Sequence, residues 1–174
     1  MSAMTVVNEH SRLLAAPIER CGHLLEDLAG EQDRLWPSRS WPAMRLSPGM
    51  AVGAVGGHGP VRYTVAEMAP GRHVRFRFTG PTGFDGGHEF LLEACGPGRT
   101  RIRHVLTLRP RGRARLTWPL VYRPLHDALL EDAFDQAEAV VSGTEPERHV
   151  WSGYVRFLRW VMALTLAPRT ARPR

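Results

Sequence analysis

The sequence predicts an α+β fold in which a curved antiparallel sheet wraps around one long helix near the C-terminal end. Three observations lead there. Between residues 61 and 108 the text breaks into short segments that alternate apolar and polar positions, separated by Gly and Pro. Between 118 and 142 the period lengthens to that of a helix, and one apolar stripe runs more than twenty residues. A sheet with a single dry face needs a cover, and only this helix is long enough to supply it.

The elements follow in order. Residues 5–14 (TVVNEHSRLL) have the length and composition of a strand. Pro17 suits the first turn of a helix over 18–28, where Ile18, Cys21, Leu24, Leu25 and Leu28 recur at helical spacing and Gly30 ends the run. A second short helix is expected over 31–36, stopped by Pro37. The Pro-rich loop WPSRSWPAM that follows holds Trp36, Trp41 and Met44, read as a satellite cluster in preference to a lid. The glycines of 49–59 are no dinucleotide fingerprint, because no helix follows them; they are expected to bend a strongly curved strand.

In the meander, Val74, Phe76 and Phe78 alternate with His73, Arg75 and Arg77, and Ile102, His104, Leu106 and Leu108 with Arg101 and Arg103. If Gly96-Pro97-Gly98 is the loop of the last hairpin, His88 faces Leu106, Phe90 faces His104 and Leu92 faces Ile102, all on the dry side. The turn at Ala69-Pro70-Gly71 likewise sets Tyr63 and Val65 on the face of Phe76 and Phe78. In the long helix Val121, Leu125, Leu129, Ala133, Ala137 and Val140 form the stripe, Gly143 stands where a C-terminal cap belongs, and Pro124 is absorbed near the start or kinks it. Residues 150–166 make a separate amphipathic helix, rich in Trp and Leu, with Arg156 and Arg159 on its polar stripe.

Composition bounds the function. A chain of 174 residues, 43% hydrophobic and 23% charged, holds one core domain, expected over 1–143, and a basic helix and tail over 144–174. All 23 Lys+Arg positions are Arg, beside 17 Gly and 14 Pro, so the net charge of +6 reflects a coding bias as much as a partner. The outward arginines 75, 77, 101 and 103 lack an aromatic stacking platform, which argues against nucleic acid. Cys21 and Cys95 have no zinc spacing, nothing resembles a secretory signal, and the expected location is the cytoplasm, peripheral to the inner face of the membrane if the tail meets lipid. No HExxH motif, Cys/His cluster, 2-His-1-carboxylate spacing or nucleophile elbow stands out, so no catalytic residue, metal ligand or cofactor is assigned.

Four segments carry a family resemblance: AAPIERCGHLLEDL (15–28), RYTVAEMAPGRHVRFRFTG (62–80), HEFLLEACGPGRTRIRHVL (88–106) and WPLVYRPLHDALLEDAFDQAEA (118–139). Over residues 5–143 the chain resembles the START/Bet v 1-like (SRPBCC) superfamily, whose helix-grip fold includes polyketide cyclases and coenzyme Q-binding proteins. The resemblance implies a sheet of six or seven strands, two short helices after the first strand, and an internal cavity for a small hydrophobic molecule. The expected ligand-binding residues are Tyr63, Phe76, Phe78, His88, Phe90, His104, Leu106, Tyr122, Leu125 and Leu129. Two histidines on a dry face either orient a polar ligand group, act as acid and base, or bond the backbone or Tyr63. His126, beside Asp127, is expected on the polar side of its helix. Three functions are open at this point: ligand binding, transport or sequestration; a cyclase- or aromatase-like enzyme; and a membrane-associated or self-associating homodimeric module acting through 150–166.

Overall fold

A computed structural model describes residues 5–146 and 150–166. Seven strands form one antiparallel sheet in the order β1-β7-β6-β5-β4-β3-β2. They are β1 (Val6–Leu14), β2 (Arg45–Ser47), β3 (Val55–His58), β4 (Val61–Ala69), β5 (His73–Gly80), β6 (Phe84–Ala94) and β7 (Thr100–Pro110). The last hairpin pairs His88 with Leu106, Phe90 with His104 and Leu92 with Ile102, the register that the Gly-Pro-Gly loop and the alternation predict. Tyr63 lies opposite Phe78 and Val65 opposite Phe76, with a bulge between Val65 and Glu67 absorbing one extra residue.

The glycine-rich stretch turns out to be a hairpin and not one bent strand. β2 and β3 pair antiparallel across it, with Leu46 opposite Gly56. A Cβ on Gly56 would stand 1.9 Å from the Arg45 carbonyl oxygen, so this backbone approach requires glycine.

Helix formation between β1 and β2 is shorter than expected. α1 (Ile18–Cys21) and α2 (His23–Glu26) meet at Gly22, whose own backbone is helical. An added Cβ there would come 3.2 Å from the Cα of Gly71, so this helix packs directly on the β4–β5 turn. The helix expected over 31–36 does not form. The Asp33 carboxylate accepts from the backbone N–H groups of Ala29, Leu35 and Trp36, and this local alternative to helical bonding holds the segment as a turn.

The gripping helix begins before residue 118. α3 (Ala114–Thr117) runs into a π-helical turn (Trp118–Tyr122) and on into α4 (Arg123–Ser142). Pro124 has no N–H to return to the Leu120 carbonyl, and the ladder widens through this turn, with Arg123 N–H bonding Trp118 O. α4 ends on Gly143 in the left-handed conformation, φ 72°. It buries Leu125, Leu129, Leu130, Ala133, Phe134 and Ala137 against the sheet, at about 1.5–3 kcal/mol for each large side chain. Its acidic flank packs on β1, where Arg12 bonds Glu131, Asp135 and Glu138 at 2.8–3.0 Å.

α5 (Gly153–Leu166) is a separate helix that folds back on the domain. Val155 and Leu158 are buried, while Tyr154, Phe157, Trp160 and Leu164 stay exposed, so only part of the expected apolar face is covered. Among the described residues no helix is long and apolar enough to cross a membrane.

Candidate functional site

A cavity of about 70 Å³ lies where the sheet, α4 and α5 meet. The sheet contributes Phe78, Phe84, His88, His104 and Leu106; the helical side contributes Trp118, Tyr122, Leu125, His126, Leu129 and Leu130. Its cover is made by Trp36, Trp41 and Pro42, by the β3–β4 turn from His58 to Val61, and by Met162 of α5.

Seven of the residues expected to bind a ligand therefore line one space: Phe78, His88, His104, Leu106, Tyr122, Leu125 and Leu129. The other three do not. Tyr63, Phe76 and Phe90 are fully buried behind the wall, because their positions on the curved strands place them against neighbouring rings: Tyr63 packs 5.0 Å from Phe76 and 5.1 Å from His88, and Phe90 packs 4.6 Å from His104. Two other expectations are also corrected. His126 lines the cavity instead of facing solvent with Asp127, since the helix turns its 122-126 face toward the sheet. The WPSRSWPAM loop is part of the main core and of the cavity cover, with the Trp36 ring tilted against His58 at 4.6 Å and its indole N–H donating to Pro42 O. His58 and Met162 were not among the expected site residues: His58 ends β3 in a glycine-rich stretch without clear alternation, and the spacing of Met162 marks it as apolar on its helix but not as a neighbour of the cavity.

The polar groups of the cavity are histidines. His88 Nδ1 and His104 Nε2 lie 3.1 Å apart, both rings buried. Burial first, then the neighbouring imidazoles, pushes both far below the usual histidine range, so the pair is neutral and shares one proton. The two outer nitrogens then take opposite roles: if His88 donates, His104 Nδ1 carries a proton and His88 Nε2 is an acceptor, and the other tautomer reverses both. His104 Nδ1 has no hydrogen-bond partner among the described residues. His58 is pushed down to about 3, by burial and then by the charges of His126 and Arg62. Burial likewise raises the Tyr63 phenol, whose buried hydroxyl is unpartnered among the described residues.

The cover is held by a latch. Arg159 of α5 lies between Trp41 and Trp151, its guanidinium carbon 4.2 Å and 3.9 Å from the two ring centres, and donates to Ser40 O. Both indole N–H groups donate to Asp132 Oδ2, at 2.6 and 3.0 Å. The Leu120 carbonyl, which Pro124 cannot bond, accepts the Tyr154 hydroxyl at 2.6 Å.

No family model matches the sequence, and neither does any curated protein. Solved structures do match. A norcoclaurine synthase point mutant from Thalictrum flavum, in complex with a transition-state analogue, superposes with a TM-score of 0.60 at 15% identity, covering 82% of this chain and 98% of that one. A START superfamily protein from Mycobacterium smegmatis gives 0.56 at 14%, covering 79% and 97%. CalU16 from Micromonospora echinospora gives 0.56 at 11%, covering 96% and 97%. With a seven-stranded curved sheet gripping a C-terminal helix, and with these neighbours, the chain has the START/Bet v 1-like helix-grip fold.

Proposed function

We propose that the protein binds a small, largely apolar molecule with one polar end in the cavity between the sheet and α4. The observation that carries this reading is the neutral His88–His104 pair set in an otherwise aromatic and aliphatic wall. Because the pair can present either a donor or an acceptor, it suits a carbonyl or a hydroxyl equally. A cavity of about 70 Å³ holds only a few waters, at about 10–15 Å³ each, so a larger ligand enters by displacing the Trp41 loop and Met162. Native mass spectrometry of the purified chain tests this. A co-purifying small molecule, lost when Leu106→Trp fills the cavity, is the expected result; an empty chain that also takes up no hydrophobic probe would refute it.

A second reading is a cyclase-like enzyme, and the 3.1 Å contact between the two imidazoles favours it, since paired groups at that distance are what proton transfer needs. Against it, both rings sit far below neutral pH as bases, which suits holding a ligand better than abstracting a proton.

The exposed face of α5 supports a peripheral membrane contact. Phe157, Trp160 and Leu164 are each more than half exposed, and Tyr154 of the same helix bonds the Leu120 carbonyl on the adjoining helix start. The full chain is expected to pellet with anionic liposomes while Trp160→Ser/Phe157→Ser does not. Equal, negligible pelleting of both would leave this face for self-association.

A further inference from the structure

Where β1 meets α4, three side chains from distant parts of the sequence converge. His10 comes from β1, His126 and Asp127 from α4, and one donor atom of each lies within 4.8 Å of the others. His10 Nε2 stands 3.1 Å from Asp127 Oδ1, and His126 Nδ1 stands 3.6 Å from the same oxygen. Ligand atoms bound to one divalent ion at about 2.0–2.2 Å are themselves about 3–3.5 Å apart, so both spacings are close to those of a filled site.

Three further features set this cluster apart from an ordinary ion pair. Both ring nitrogens of His126 are buried and lack a hydrogen-bond partner among the described residues, and its 3.6 Å approach to Asp127 is too long to count as one. A buried imidazole unsatisfied at both nitrogens calls for a further ligand. His10 Nδ1, on the side of the ring away from Asp127, meets Glu131 Oε1 at 3.0 Å. That carboxylate–imidazole arrangement is the one that fixes the tautomer and orientation of a metal-bound histidine. Asn8 Nδ2 donates to the same Asp127 Oδ1 at 2.9 Å and helps fix the orientation of the carboxylate.

We propose that His10, His126 and Asp127 bind a first-row divalent transition metal, with Zn²⁺ as the type ion and with Glu131 and Asn8 as outer partners. Two imidazoles and one carboxylate suit such an ion; Ca²⁺ and Mg²⁺ need a fuller shell of oxygens. Three protein ligands leave a coordination position open, as in metal sites that exchange a water or a small molecule. Because His126 also lines the cavity, the ion stands at the cavity wall. The proposal is independent of which molecule the cavity takes, since it rests on atoms at the β1–α4 contact.

The test uses the full chain after treatment with a chelator. Zn²⁺ is titrated calorimetrically, and Co²⁺ binding is followed by its visible d–d absorption, which reports nitrogen–oxygen coordination of low number. One equivalent is expected to bind, about tenfold or more weaker in Asp127→Asn and in His10→Gln. His73→Gln serves as the control: that imidazole pairs with Glu89, well away from the cluster, and its loss is expected to leave binding unchanged. Circular dichroism establishes that each variant is folded, and if Asp127→Asn fails to fold, the milder His10→Gln decides alone. No saturable one-to-one binding by the unaltered chain overturns the proposal. So does binding that survives intact in His10→Gln, or that falls as far in His73→Gln.

Discussion

Histidine is the residue through which this protein's interior meets pH. In the unfolded chain each imidazole titrates near 6.5, whereas in the fold His58 is pushed down to about 3 and His88 well below its usual range. Between those values the unfolded state binds protons that the native state refuses. Stability from these groups is therefore fully present above about pH 6.5 and is lost progressively as the pH falls toward the folded values. Urea midpoints measured at about pH 7 and about pH 5 are expected to show this loss, and a smaller one in His58→Phe. An unchanged pH dependence in that variant would mean that His58 meets solvent and titrates freely.

At the scale of elements, the parts with a strict period were legible in the sequence and the parts set by tertiary contact were not. The β6–β7 register followed from alternation around one Gly-Pro-Gly loop, and α4 from a stripe that Gly143 ends. By contrast, nothing in EQDRLW announces that Asp33 will take three backbone donors and cancel a helix. Nor does local spacing join His10 to His126 and Asp127, which meet only because β1 sits at the sheet edge beneath α4. The site was half legible for the same reason: wall residues on strands and α4 declared their side by periodicity, while the cover came from a loop, a turn and α5. The docking of α5 depends on the Arg159 sandwich between Trp41 and Trp151, worth about 0.5–2 kcal/mol for contacts of this kind. Arg159→Ala is accordingly expected to raise amide hydrogen exchange throughout α5 and in residues 38–42, leaving β6 and β7 protected. Uniform exchange across the whole chain would show that the latch holds the domain and not merely its cover.

For the molecule as a whole, sheet, α4 and cover close on one interior, yet they hold it with unequal strength. The sheet and α4 share the large buried core, whereas α5 offers Val155, Leu158 and the latch. The weakest of the three walls is thus the one that carries Met162 to the cavity and Phe157, Trp160 and Leu164 to the outside.

Met162 has one more consequence. It lines the cavity and is tethered to the chain that forms it, so, on the binding mode proposed above, the protein carries its own competitor for a large ligand at a fixed effective concentration. A ligand too large for the closed cavity binds only the open fraction of molecules, and its apparent dissociation constant is the intrinsic one divided by that fraction. Every ~1.4 kcal/mol by which the latch favours closure weakens capture about tenfold. Loosening Arg159 therefore costs α5 its order and tightens binding of a large apolar guest, because affinity here is set as much by the occupant that leaves as by the one that enters.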